Sequence, residues 1–183
     1  MEQAATIQTA IVQKACKGDA AARAWLYQQY SKAMFNICIR MAGDRATAED
    51  LLQDAFILAF SKLEQLKEAA QFGGWLKRIV VNECIRQSKK SLQWQEWDTN
   101  YDESVQDEPI AWWKTVDMQI IHQEIKALPQ GCRQVFNLYV LEDYSHKEIA
   151  TALTISESTS KSQYQRAKQL LKERINKYVA IHG

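Results

Sequence analysis

The chain has 183 residues, 46 % of them hydrophobic and 25 % charged, with 23 basic and 22 acidic side chains and a formal net charge of +1. That much apolar material builds one large core or two small ones and excludes a globally disordered chain, while the near-neutral total argues by itself against a non-specific polyanion binder. Six Gly and two Pro leave few breakers, and almost no segment alternates with a strand period, so the expected class is all-α.

Helical patterns run from Thr6 to Cys16, Asp19 to Met41, Thr47 to Leu66 and Phe72 to Lys90, with Gly18-Asp19 and Gly43-Asp44 as turn and cap residues between the first three. These four elements are dense in apolar residues and are expected to form one bundle. In the third, Leu51, Leu52, Ala55, Phe56 and Ala59 fall on a core face, and Glu49, Asp50, Gln53 and Asp54 share the outer one. Acids in a first turn favour the helix dipole. The same face also suits docking of another protein or, with Glu49, Asp50 and Asp54 as ligands, a metal-dependent hydrolase; no His, Lys or second acidic cluster accompanies it. In the fourth element Gly73-Gly74 lies at the start, and Trp75, Leu76, Ile79 and Val80 read as core. Lys77, Arg78, Asn82 and Arg86 project elsewhere. Aromatic and apolar groups beside Asn and Arg fit unpaired bases, and equally a core helix with a solvated charged face.

From Ser91 to about Trp113 the periodicity is lost, and the stretch reads as an acidic flexible linker. Its Trp94, Trp97, Tyr101, Trp112 and Trp113 fit either packing of two domains together or an anchor on a partner. A second helical domain follows from about Lys114, broken at Leu128-Pro129-Gln130-Gly131 and around Glu142-Asp143-Tyr144. The expected division is therefore 1–90, 91–113 and 114–183. Within the last part, Ser145-His146-Lys147-Glu148 has capping-box spacing, and Ile149, Ala150 and Leu153 give a short helix its apolar face. Thr154-Ile155-Ser156 fits a turn, with Ile155 buried and Ser156 capping a second helix. That helix carries Ser160, Tyr164, Ala167 and Leu171 as an inner stripe. Thr159, Lys161, Ser162, Gln165, Arg166, Lys168 and Lys172 are its outer positions. This is a helix-turn-helix pattern whose hydroxyls, amides and cations suit phosphates and base edges in a major groove, or else an ordinary amphipathic hairpin.

The charges are sorted along the chain. Lys77 to Lys90 holds five cations against Glu83 alone, Ser91 to Trp113 six acids and no cation, and Glu157 to Lys177 six cations against two acids. This layout suggests two nucleic-acid surfaces joined by an acidic strap. Cys16, Cys38, Cys84 and Cys132 lie far apart and His122, His146 and His182 lack ligand spacing, so no metal, cofactor or disulfide framework is expected. No apolar run approaches the roughly 18 residues of a membrane span, and the N-terminus lacks a signal layout. A cytoplasmic protein with reduced thiols and no catalytic residues is expected.

Taken in order, the motifs resemble a known family. They are Gly-Asp-Arg-Ala-x-Ala-Glu-Asp-Leu-x-Gln-Asp-x-Phe, Phe-x-x-Trp-Leu-x-x-Ile-x-x-Asn, the acidic linker, Leu-Pro-x-x-x-Arg-x-Val-Phe, Tyr-Ser-x-x-Glu-Ile-Ala and Ser-Glu-Ser-Thr-x-Lys-Ser…Arg-Ala-Lys. Together, over about Gly18 to Ile175, they look like an extracytoplasmic-function (ECF) sigma factor, the two-domain class of bacterial transcription initiation factor. The resemblance implies that Asp50, Gln53, Asp54 and Phe56 dock on the clamp helices of core RNA polymerase. It implies that Lys77, Arg78, Asn82, Arg86 and Lys89, with the loop from about Lys67 to Gly73, open and read the −10 element, Asn82 contacting a base of the melted strand. Ser158, Thr159, Lys161, Ser162, Gln165 and Arg166 would sit in the major groove of the duplex −35 element. It further implies an anti-sigma partner that covers these faces until a stress or envelope signal arrives, and a linker threading the polymerase's RNA exit path. The chain departs from the pattern at Thr154, where many relatives have Gly, at Gln163, where they have Arg, and at Arg86, where the family often has Asp. The alternative function is a free-standing helix-turn-helix regulator that binds DNA without polymerase.

Overall fold

Helix ends in the N-terminal part follow capping chemistry. The computed structural model describes residues 2–91 and 117–182, and divides into two compact units, Met1–Gln87 and Ser88–Gly183. In the first unit α1 spans Glu2–Cys16, α2 Ala20–Ala42, α3 Arg45–Ser61 and α4 Phe72–Ser91. The Asp19 carboxylate accepts from the Ala22 amide at 2.8 Å and the Asp44 carboxylate from the Thr47 amide at 2.9 Å, each satisfying an orphan donor of a first turn. Gly43 ends α2 at φ 86, a conformation that a β-carbon disfavours.

Helix α3 stops at Ser61, short of the expected Leu66. The Ser61 hydroxyl donates to the Leu58 carbonyl at 2.8 Å, and Leu63 must turn inward to be buried, so the chain leaves the helix through single 3-10 turns at Leu63–Gln65 and Ala69–Gln71. The core of this unit joins Leu26, Met34 and Ile37 of α2 to Leu51, Leu52 and Phe56 of α3 and to Phe72, Leu76 and Val80 of α4.

The second unit contains α5 (Met118–Lys126), α6 (Gln130–Phe136) running on into a π turn at Asn137–Leu141, α7 (His146–Leu153) and α8 (Glu157–His182). The capping box forms as expected: the Ser145 amide donates to Glu148 at 2.8 Å and the Ser145 hydroxyl accepts from the Glu148 amide at 3.3 Å. The Ser145 hydroxyl, which also donates to the Glu148 carboxylate at 2.7 Å, and then the Ser145 amide hold that carboxyl below its usual range. The Ser156 hydroxyl accepts from the Thr159 amide at 2.9 Å and so caps α8. Ser160, Tyr164, Ala167 and Leu171 face inward and are all buried, with Ile175 extending the stripe. Ile155, expected to be buried, is only half so, because the turn lies at the surface. No strand occurs among the described residues. The stretch read as a linker, with Trp94, Trp97, Tyr101, Trp112 and Trp113, lies outside them except for Ser91, the last residue of α4.

Thr154 ends α7 in the left-handed region at φ 60, ψ 48. A β-branched residue is disfavoured there by about 1 kcal/mol or more. Thr154→Gly is therefore expected to stabilise the second unit by up to about 1 kcal/mol, seen as a raised denaturation midpoint; an unchanged or lower midpoint would show that the turn carries no strain.

Candidate nucleic-acid and protein-docking faces

Asp50, Gln53 and Asp54 of α3 are exposed and form one stripe of the helix, as the i, i+3, i+4 spacing demands. Phe56 does not join them. It is 3 % exposed, with its ring 4.8 Å from Tyr27 and 5.8 Å from Phe60, so this residue supports the face from beneath and cannot be a contact on it. The stripe instead continues to Ile57, which is 62 % exposed. Periodicity alone did not single out Ile57, although an isoleucine at i+3 from Asp54 on a polar stripe was the available signal. Tyr27 adds an exposed ring surface beside Phe56. Below Ile57 a cleft of about 450 Å³ opens between Cys16, Arg23, Phe60, Leu63 and Glu64. Glu49 is held by Arg45 at 2.7 Å, and among the described residues no group of three or more His, Cys, Asp or Glu is placed to hold a metal ion.

On α4, Arg78, Asn82, Arg86 and Lys89 are exposed at helical spacing and share a face, while Lys77 stands half-buried to one side. Trp75 and Ile79, read as core, are half-buried and lie along this same side of the helix; the core positions are Leu76, Val80, Val81, Cys84 and Ile85. The indole of Trp75 leans on Phe72 at 6.0 Å. An accessible ring next to an amide and a guanidinium is the arrangement that single-stranded bases stack on. Arg86 is not a free cation: it donates to Glu83 at 2.9 Å, and that bond, with the charges of Glu83 and then Asp54, raises its pKa. The α3 stripe and the outer face of α4 therefore share one electrostatic neighbourhood.

On α8, Ser158 is exposed and Thr159, Lys161, Ser162, Gln165 and Arg166 are half-buried. Lys161 pairs with Glu157 at 3.1 Å, the Ser162 hydroxyl donates to the Thr159 carbonyl at 3.0 Å, and the Ser156 hydroxyl bonds those of Ser158 and Thr159 at 2.8 and 2.7 Å. Gln163, where relatives have Arg, is 4 % exposed and points into the core, where its amide oxygen accepts from the Cys132 thiol at 3.0 Å. The substitution at this position therefore alters packing in this chain. Arg166 stands near enough to Cys132 for its charge to act on the thiol.

The Sigma-70 region 2 family model matches residues 26–95 and the Sigma-70 region 4 model residues 118–171, in that order. The chain is similar to the ECF RNA polymerase sigma factor SigW of Bacillus subtilis (strain 168), 29 % identical over 171 residues, 87 % of this chain and 91 % of that one. It is 28 % identical to SigM of the same organism over 84 % of this chain and 95 % of the relative. The chain is a member of the sigma-70 family, in its extracytoplasmic-function class. A solved structure of the sigma factor RpoE in complex with the anti-sigma factor NepR, from Bartonella quintana, has a TM-score of 0.50 and 25 % identity over 84 % of this chain and 95 % of that one. No helix among the described residues is long and apolar enough to cross a membrane.

The region 2 match spans the stripes of α3 and α4, and the region 4 match spans the helix-turn-helix. The four thiols of the chain differ in access. Cys16 is half-buried beside the cleft, whereas Cys38, Cys84 and Cys132 are buried, and burial pushes the Cys132 thiol up to about 11. Only a thiolate attacks a maleimide. Labelling of the native protein at pH 7 to 9 is expected to modify Cys16 and spare Cys132, as read by peptide mass spectrometry; comparable labelling of Cys132 in that range would contradict its placement under α8.

Proposed function

We propose that this chain is a bacterial transcription initiation factor that binds core RNA polymerase, directs it to specific promoters, and is held in check by an anti-sigma factor in a stress or envelope response. The observation that carries this is the pair of family matches, region 2 on the unit with the α3 and α4 stripes and region 4 on the helix-turn-helix. Asp50, Gln53 and Asp54, with Ile57 as an apolar centre and Phe56 as its support, dock on polymerase. Asn82 meets a base of the melted −10 strand, Trp75 offers a stacking surface, Lys77, Arg78 and Lys89 act on the backbone, and Arg86 strengthens the hold on the strand. Ser158, Thr159, Lys161, Ser162, Gln165 and Arg166 meet the duplex −35 element. The factor works in the cytoplasm and performs no chemistry of its own.

The energetics fit this division. A good base contact discriminates by about 1–3 kcal/mol, and extruding a base costs roughly a few kcal/mol, so neither face alone is sufficient. Joining both in one chain raises the effective concentration of the second contact once the first is made.

Purified protein mixed with bacterial core RNA polymerase and a genomic fragment library is expected to produce discrete new start sites that are absent without it. No binding to core and no new starts would overturn the proposal, and tight promoter binding without core would favour a free-standing regulator. Asn82→Ala should slow promoter opening while leaving core binding intact; an equal loss of core binding in a pull-down would refute its role. Ile57→Ser should do the reverse, weakening core binding by about 1–2 kcal/mol with the thermal midpoint unchanged, as measured by titration of labelled core.

A further inference from the structure

The inner stripe of α8 opens with a small hydroxyl side chain. Ser160 is 0 % exposed, between the turn and the buried Tyr164. A hydroxyl so placed needs a hydrogen-bond partner, and Nδ1 of His146 lies 2.9 Å away. His146 is the first residue of α7, so this bond ties the start of one helix of the pair to the first turn of the next, across 14 residues of sequence. Its ring is itself fixed. It lies nearly parallel to Tyr139 of the π turn, centroids 4.4 Å apart at 13°, and tilts against Tyr164 of α8 at 5.7 Å. Tyr139 and Tyr164 are in turn 4.6 Å apart, closing a three-ring cluster drawn from the π turn, α7 and α8.

We propose that His146 is a positioning residue for promoter reading: through its bond to Ser160 it sets the register in which α8 meets the −35 element. The inference rests on the assignment of α8 to that element. Two features of the hairpin make such a device necessary. The turn joining the helices contains Thr154 in a disfavoured backbone conformation and a half-exposed Ile155, so the turn alone is a poor constraint on how α8 is set against α7. Ser160 also sits amid Ser158, Thr159, Lys161 and Ser162, within one turn of each. Any sliding or rolling of α8 at Ser160 moves all four together, whereas the capping bonds of Ser145 and Ser156 are local to their own helices and do not oppose it.

Three single variants separate the bond from the packing. His146→Phe keeps the stacked ring and removes Nδ1. His146→Asn returns a hydrogen-bonding group near the Nδ1 position without the ring, and Ser160→Ala removes the hydroxyl. The holoenzyme formed with core polymerase selects from a duplex promoter library randomised over the upstream element, with the downstream element fixed from mapped start sites. Enrichment of the best upstream sequences over the median is the readout, with core binding and thermal midpoint measured in parallel. His146→Phe and Ser160→Ala are each expected to lower that discrimination about fivefold, the factor one net hydrogen bond supplies. The double variant should fall no further, and His146→Asn should recover most of the loss, with core binding unchanged throughout. Undiminished discrimination in either single variant, additive losses in the double, or no recovery in His146→Asn would overturn the proposal. If the wild-type holoenzyme itself enriched no upstream sequence, the −35 assignment would fall and the inference with it, an outcome visible before any variant is made.

Discussion

Helix α4 can begin where it does because Gly73 has no side chain. A β-carbon there would stand 2.9 Å from Cε1 of Tyr30, closer than two carbons approach. The bare backbone lets α4 lie against α2, with Phe72 fully buried and its ring edge-on to Tyr30 at 5.2 Å. The rotation of the whole helix follows. With Phe72 turned in, Leu76, Val80 and Cys84 come under it at helical spacing, Cys84 meets Cys38 of α2 in a thiol hydrogen bond, and Arg78, Asn82 and Lys89 face outward. Which residues of α4 face outward is thus settled at the start of the helix, by a contact that involves none of them.

What could be read in the sequence was local chemistry. Asp19, Gly43, Asp44, Ser145 and Ser156 announce their helix ends because a cap needs only a neighbour three or four residues away, and all five act as the spacing predicts. The inner stripe of α8 is likewise a matter of period. Where tertiary contact decides, the sequence was silent or misleading. Leu63 draws the chain out of α3 early, Trp75 and Ile79 are left half-covered although both are apolar, and Gln163, polar and flanked by polar residues, turns inward to Cys132. The motif that includes Phe56 mixes a surface with its foundation, since matching by position does not distinguish a residue that touches a partner from one that holds up those that do.

The two units solve the packing problem with different materials. Around α2 and α3 the contacts are aliphatic and aromatic, with Arg23 and Arg45 laid over Phe60 and Phe35 at 5.7 Å each. Around α8 the core admits Ser160, Gln163, Gln134 and Asn137, all nearly or fully buried. Ser160 and Gln163 each hold a hydrogen bond there, to His146 and Cys132, and a bonded polar group in a core tolerates fewer arrangements than an apolar one.

The pairing of cations with acids on their own helix has a consequence for ionic strength. Arg86 is engaged by Glu83, and Lys161 by Glu157. A lysine or arginine already neutralised by a neighbour displaces fewer counterions when it meets a phosphate than an unpaired one does, and counterion release is what makes protein–DNA affinity fall as salt rises. Under the proposed function, counting all the basic residues on these two faces would therefore overstate the steepness of that fall. Adhesion to arbitrary DNA, which depends almost wholly on released ions, is weakened by the same pairing, while contacts to base edges are largely spared. A nearly neutral chain can in this way search a genome without being held by it.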